Sequence, residues 1–425
     1  MKKILLLGES FSAMEIVQKA KQRGWHTIVT DDAPLAESPV KQAADEYWMI
    51  STAETDRLTE KCREENIGAI FAGVSEFNLD RVLLMTQDLG LPCYIDANAW
   101  EFARNKRRFK NKCIEKGVPV VPEYPVPDPG DEAAWEKIVY PVVIKPVDGT
   151  GNAGVSICYN RNDLEEGLRK VRAIRTDPEF ILERYVTGEE TWNYYCFAEG
   201  VGRYVNSGTV FRQPGYPTFL YSVGTSAAGG IDDYLEQMNP QCLELLTAIG
   251  CREGMAWIQC IRDDNGNYYA LEMAHRLSAE TVGNNIEKVL GFNSVDWMLD
   301  TALGCKHTVD MLPKQATRPY SGIACVYFLF ADHSGKIEKM SGLEKLDPDL
   351  FCVEYARKPG DSVDQYRMMV KLAFFAQSTG HMCEVLQYLN DTIEITDTEG
   401  RDLIVHFTDY KAVKERLGGS MRDDR

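Results

Sequence analysis

The chain has 425 residues, of which 44% are apolar and 26% charged. That is length for roughly two to four domains, and no apolar run approaches the ~20 residues that span a bilayer. With 47 Lys and Arg against 64 Asp and Glu, a net charge of -17, the chain lacks the basic face that a duplex nucleic acid requires; a few local lysines can still dominate a cleft for a small anion.

In chain order, Lys2 and Lys3 precede only four apolar residues, Ile4 to Leu7. That is too short for a secretory h-region, and a cytoplasmic protein is expected. Residues 3–7, 27–30, 46–50 and 67–72 read as strands, with helices at 13–22, 58–65 and 78–89. This alternation predicts a parallel sheet covered by helices. The turn Gly8-Glu9-Ser10-Phe11-Ser12 lacks the later glycines of a dinucleotide fingerprint. Residues 98–117 read as a helical stretch carrying the basic run Asn105-Lys106-Arg107-Arg108-Phe109-Lys110-Asn111-Lys112. A solvated helix face and an anion-binding helix both fit that run. Residues 122–130 hold four prolines and read as a linker. From Pro141 the pattern turns to strands with glycine-rich turns, and helices fall near 161–174, 233–249 and 283–303. A last block from Tyr320 has strands at 322–330, 336–340 and 351–355, a helix at 381–393, and a hairpin about Thr398-Glu399-Gly400. The twelve cysteines include no Cys-x-x-Cys pair and no zinc spacing, so reduced, partly buried thiols are expected.

Three segments carry chemistry. In the first, an apolar strand ends at Lys145 and is followed by Gly149, Gly151 and Gly154 in Gly-x-Gly-x-x-Gly spacing. Residues 155–158 then read as a strand, which rejects the dinucleotide-binding context of such a motif. Strand, glycine loop and return strand can present main-chain N–H groups to phosphate, with Lys145 as a point charge; a plain hairpin with a surface lysine also fits. In the second, the strand through Glu183 leads to Tyr185, Val186 and the pair Glu189-Glu190. An apolar slot there could take a nucleobase, and a carboxylate could accept ribose hydroxyls. An ordinary β-turn explains it equally well. In the third, apolar arms flank Asn265-Gly266, a strong hairpin signal. A turn centred there pairs Gln259 with Glu272 and Trp257 with Ala274. Opposed Cβ atoms lie ~4.5–5.5 Å apart, so one hard cation could touch both 259 and 272. Arg276 follows, placed to bind a carboxylate or a developing oxyanion; a solvent-facing Gln/Glu pair remains the alternative.

Taken together, the order and spacing of these segments resemble the ATP-grasp superfamily across most of the chain. Within it, the sequence is similar to carboxylate–amine ligases, including L-amino-acid ligases, and also to biotin carboxylase and the purine-pathway members. The resemblance implies a mixed α/β and α+β chain in three parts. These are a Rossmann-like pre-ATP-grasp domain (1–97), an ATP-grasp domain (98–310) with a mobile lid at about 130–186, and a β-rich C-terminal domain (311–425). It implies ATP with Mg²⁺, or Mn²⁺, as cofactors. Lys106 and Lys145 would contact phosphates, and Gly149, Gly151 and Gly154 would form the lid loop. Glu183, Tyr185 and Val186 would hold adenine, and Glu190 the ribose. Glu272 and Gln259 would ligate metal, and Arg276 would steady an acyl phosphate and tetrahedral intermediate. Lys145 and Arg276 are the catalytic candidates.

The family's metal motif is altered. Gln259 stands for a carboxylate, Ala274 for an asparagine ligand and His275 for a proline. Weaker or altered magnesium binding is expected, with one tight ion rather than two. His275 could replace the missing ligand or contact substrate together with Arg276. The implied activity is ADP-forming amide synthesis between small amino-acid-like substrates, a carboxylate and an amine, through an acyl phosphate. A bicarbonate-using carboxylase and a nucleotide-binding pseudoenzyme are the alternatives. No motif names the substrates, although residues 210–230, with Arg212, Tyr216 and Tyr221, are candidates for the acceptor pocket. The resemblance leaves room for a homodimer, and neither nucleic acid nor membrane is expected as a partner.

Overall fold

A computed structural model describes residues 2–9, 12–128, 130–148, 154–174, 179–278 and 283–421. The N-terminal part follows the expected alternation. Its four strands are parallel, in the order Glu46–Met49, His26–Asp31, Lys3–Leu7, Ala69–Phe71. Ile4 to Leu7 are buried on both faces, which is why that strand reads as an unbroken apolar run. The helices Ala13–Gln22, Thr55–Glu64 and Glu76–Leu89 complete the layers.

Three expected helices are each broken in two. The stretch at 98–117 divides into Ala97–Ala103 and Lys106–Glu115, because Asn105 is extended (φ -128°, ψ 102°) and its side chain caps the second helix by accepting from Arg108 N at 2.9 Å. That break makes Lys106 the first residue of a helix. Pro240, at the start of Asn239–Ala248, divides it from Ile231–Gln237. Asn293 caps Ser294–Ala302 and separates it from Gly283–Leu290. The expected linker at 122–130 is in part an added extended segment. Tyr124 N donates to Leu182 O at 2.8 Å and Arg184 N to Pro122 O at 3.0 Å, so it runs along the strand Phe180–Arg184.

That strand belongs to a small antiparallel sheet, Ser156–Cys158, Val142–Pro146 and Phe180–Arg184, covered by the helix Arg161–Ile174. Gly149 and Gly151 lie outside the described residues; Gly154 is described, with φ +78°.

The rest is organised on one eight-stranded sheet. Its order is Tyr268–Ala274, Gly254–Asp263, Gly188–Ala198, Val201–Phe211, Val223–Thr225, Ile323–Phe330, Met368–Ala376, Phe351–Ala356. Val223–Thr225 pairs with Val201–Phe211 on one side and Ile323–Phe330 on the other. The expected boundary at 310/311 therefore divides strands of a continuous sheet. Gly188 is required where this sheet begins: its φ is +153°, and a Cβ there would fall 1.9 Å from Arg262 O. The strand Met368–Ala376 and the helix Tyr410–Leu417 are additions to the sequence reading. The strand is a nearly unbroken apolar run, which periodicity alone does not separate from a buried helix. Among the described residues, no helix is long and apolar enough to cross a membrane.

Candidate active site

The hairpin Gly254–Asp263/Tyr268–Ala274 pairs Gln259 with Glu272 and Trp257 with Ala274, as the spacing predicts. The turn that achieves this is not the two-residue one expected. Beyond a bulge between Gln259 and Cys260 the register drops by one, so that Cys260 faces Ala270 and Arg262 faces Tyr268. The chain then reverses through a wider turn. The Asp263 carboxylate accepts from Asn265 N at 3.0 Å and Asn267 N at 2.9 Å, and Gly266 takes φ +83°. The bulge offsets the longer turn and restores the register at the site.

Ala270 N donates to Pro119 O at 2.8 Å, which ties the segment after the helix Lys106–Glu115 to this hairpin. Lys106 thereby stands beside Glu272, Nζ to Oε2 3.2 Å. Its main-chain N–H donates to Val147 O at 2.7 Å, at the end of the strand that carries Lys145. The helix start thus joins the small sheet to the hairpin. Much of the remaining basic run is spent on ion pairs. Arg108 meets Glu101 at 2.8 Å, Lys112 meets Glu115 at 2.6 Å, and Arg107 pairs with Glu123.

Alternation along the small sheet places Ile144 and Leu182 in its core and turns Lys145 and Glu183 to the other face. There Glu183 pairs with Lys145 and with Lys110, the latter at 2.8 Å, while Lys110 also meets Glu123 at 2.9 Å. Burial alone would push the Glu183 carboxyl up. The two ammonium groups outweigh it and hold the carboxyl below the ordinary range. The Glu183 side chain is therefore occupied by the two lysines. Tyr185 N donates to Pro141 O at 3.0 Å. Lys110 is the partner that sequence reasoning missed, being one lysine among several in a basic run.

Glu189 and Glu190 face opposite sides of the large sheet. Glu189 is buried toward Arg262 and Tyr268, and burial raises its carboxyl. Glu190 lies on the opposite face, where Arg212 Nη2 lies 2.6 Å from Oε1 and Gln259 Nε2 lies 2.9 Å from Oε2. Tyr221 OH is 3.5 Å from Oε2. Both carboxylate oxygens are engaged by protein donors, in contrast to the expectation of a carboxylate open to ribose.

Arg276 donates from Nη2 to Glu76 Oε1 at 2.8 Å and from Nη1 to Leu277 O at 2.8 Å, with its guanidinium carbon 5.0 Å from the Trp257 ring centre. Glu76 was not singled out in the sequence. It opens the helix after the strand Ala69–Phe71. The rule that open α/β sheets place ligands at the carboxyl ends of their strands could have found it. His275, in contrast, is turned into the core. It is 1% exposed, its Nε2 lies 2.8 Å from Glu253 O, and its Nδ1 lies 3.4 Å from Asp96 N. A carbonyl oxygen needs a donor and a peptide N–H an acceptor, so the neutral Nε2–H tautomer satisfies both. Burial pushes its pKa down, against the Glu253 carbonyl and Asp96. The expected metal or substrate role of His275 is replaced by a core role.

Residues 105–309 match the family model described as the carbamoyl-phosphate synthase L chain, ATP binding domain. Among curated relatives, the formate-dependent phosphoribosylglycinamide formyltransferase of Wolinella succinogenes is 26% identical over 187 residues, 43% of this chain and 48% of that one. The biotin carboxylase of Pseudomonas aeruginosa is 29% identical over 215 residues, 48% of this chain and 46% of that one. The chain thus spans about half the length of these relatives. Among solved structures, the L-amino acid ligase of Bacillus licheniformis superposes with a TM-score of 0.75 at 20% identity, covering 94% of this chain and 99% of that one. The biotin carboxylase domain of the Hydrogenobacter thermophilus 2-oxoglutarate carboxylase gives 0.75 at 19%, covering 93% and 90%. The described residues form an α/β fold built on a parallel sheet and antiparallel sheets, with the candidate site at the small sheet, the large sheet and the hairpin. Residues 105–309, just under half of the chain, are thus similar to the ATP-binding domain of that family, and the fold is shared with these solved ATP-grasp enzymes.

Proposed function

We propose that the protein is an ATP-dependent carboxylate–amine ligase that joins small amino-acid-like substrates and releases ADP and phosphate. The observation that carries this reading is the convergence of Lys106, Glu272 and Gln259 at the hairpin, with Lys106 bonded to the strand end that carries Lys145. Among the described residues, no group of three or more His, Cys, Asp or Glu side chains could hold a metal. Gln259 and Glu272 offer two oxygen ligands across one strand pair. That suits Mg²⁺, or Mn²⁺, completed by nucleotide phosphates and water, and it favours one protein-held ion. When bound, the ion supplies charge neutralisation at the phosphates.

The chain's own residues do the positioning. Lys106 and Lys145 offset charge on the phosphates, and Glu183 holds Lys145 in place. The small sheet acts as the lid, with Gly154 just before its strand Ser156–Cys158. Tyr185 and Val186 border the base. Arg276, pre-aimed by Glu76 and stacked on Trp257, holds the substrate carboxylate and then the oxyanion. A carboxylate oxygen attacks the γ-phosphorus and ADP departs. The amine nitrogen then attacks the acyl carbon, phosphate departs, and the nitrogen loses a proton. Closure of the lid keeps water from the acyl phosphate.

The test is ADP and phosphate release with Mg-ATP across paired carboxylates and amines, with and without bicarbonate. Release that requires a carboxylate and an amine together is the expected result. Release that follows bicarbonate alone would replace the ligase with a carboxylase. Nucleotide binding with no release on any pair would replace it with a binding protein.

A further inference from the structure

The contact between Glu190 and Gln259 has a chemical consequence for the cation site. Arg212 lies 2.6 Å from Glu190 Oε1, a distance typical of a charge-assisted bond to an ionised carboxylate. An ionised carboxylate only accepts hydrogen bonds. The Gln259 atom 2.9 Å from Glu190 Oε2 must therefore be the amide nitrogen, and the amide oxygen must point the other way. The strand order gives that direction. Gly254–Asp263, which carries Gln259, lies between Gly188–Ala198, which carries Glu190, and Tyr268–Ala274, which carries Glu272. With the nitrogen engaged by Glu190, the amide oxygen is the Gln259 atom left for the neighbouring strand that carries Glu272.

We propose that Glu190 is a positioning residue for the cation site: it holds the Gln259 amide in the one orientation that presents oxygen, and not nitrogen, beside Glu272. A glutamate at 259 would present oxygen in either orientation and need no such partner; a glutamine does need one. Arg212 engages the other oxygen of Glu190, so that Glu190 itself is not the cation's ligand. Arg212 is held in turn by Thr218 O and by the Tyr221 ring, 4.7 Å from its guanidinium carbon. This inference rests on the Mg-nucleotide reading of the site, and it revises the ribose role expected for Glu190.

The test is Mn²⁺ affinity in the presence of ADP, read as free Mn²⁺ by electron paramagnetic resonance, together with ADP affinity without metal by calorimetry. The variants are Glu190→Gln, Gln259→Leu and their combination. Gln259→Leu should weaken Mn²⁺, and Glu190→Gln should weaken it by up to roughly ten- to thirtyfold, the scale of ordering one free glutamine side chain. The double variant should bind Mn²⁺ no more weakly than Gln259→Leu alone, and metal-free ADP affinity should be unchanged by Glu190→Gln. Losses that multiply in the double variant would overturn the proposal by making Glu190 an independent ligand. A metal-free loss of ADP affinity in Glu190→Gln would overturn it in favour of ribose binding. Glu190→Asp, too short to reach the amide, should reproduce the Glu190→Gln pattern and serves if that variant does not fold. Wild type that binds no Mn²⁺ with ADP would instead overturn the underlying Mg-nucleotide reading, an outcome distinguishable from the others before any variant is made.

Discussion

Glu183 offers the sharpest single perturbation. Its side chain is 6% exposed, and the lysines it joins, Lys110 and Lys145, are 8% and 12% exposed. Glu183→Gln keeps the shape and removes the charge, leaving two buried ammonium groups with Glu123 as the carboxylate still beside Lys110. Removing one partner of a buried ion pair costs about 3–5 kcal/mol. At about 2–4 °C per kcal/mol for a unit of 150–250 residues, the first melting transition should fall by roughly 6–20 °C at pH 7. The pH dependence has a definite sign. The folded Glu183 carboxyl lies below its unfolded value, so its contribution is complete above about pH 4.3 and is lost as pH falls through the folded value. Differential scanning calorimetry of both proteins should therefore show a gap that is constant near neutrality and closes in acid, where the wild-type carboxyl becomes the neutral analogue of glutamine. A loss under 2 °C at pH 7, or a gap that persists into the acid range, would refute the reasoning.

Lys145→Ala should weaken ADP and ATP binding by about tenfold, or roughly 1.4 kcal/mol, in calorimetry; unchanged affinity would contradict its phosphate role. Arg276→Ala should cut product formation far more than nucleotide affinity, and equal losses would point to a structural role at the Glu76 contact. Gln259→Glu should tighten nucleotide-dependent Mn²⁺ binding, since it adds a carboxylate to the pair with Glu272; no change would place the cation elsewhere. His275→Phe should cost about 1–3 kcal/mol by leaving Glu253 O and Asp96 N without partners. It should leave Mn²⁺ affinity unchanged, and a large loss of affinity with intact folding would restore His275 as a ligand.

Much of the N-terminal sheet was legible because its strands are short apolar runs set between amphipathic helices. Lys3–Leu7 and Ala13–Gln22 fall at the residues the pattern marks. The Gln259/Glu272 pairing was legible from Asn265-Gly266, yet for an incomplete reason. Local turn chemistry suggests a two-residue turn, and the longer loop and the compensating bulge depend on Asp263 and on packing that no short window contains. Side chains whose partners lie far along the chain were least legible. Lys110 finds Glu183 across 73 residues and Arg276 finds Glu76 across 200. His275 illustrates the opposite error. Its place beside the metal motif suggested a ligand, but its ring turns to the core because Glu253 O and Asp96 N are both available there. Pro240, Asn105 and Asn293 were visible as residues, and it was their capping geometry that divided the expected helices.

Acyl-phosphate formation at a substrate carboxylate is the chemistry proposed for this site. The most direct measurement supplies hydroxylamine in place of the amine, with Mg-ATP and a panel of amino acids and small carboxylates, and scores hydroxamate against ADP. Hydroxamate equal to ADP is expected for at least one carboxylate, with loss of both in Arg276→Ala. ADP released without hydroxamate from any member of the panel, or released only with bicarbonate, would contradict it.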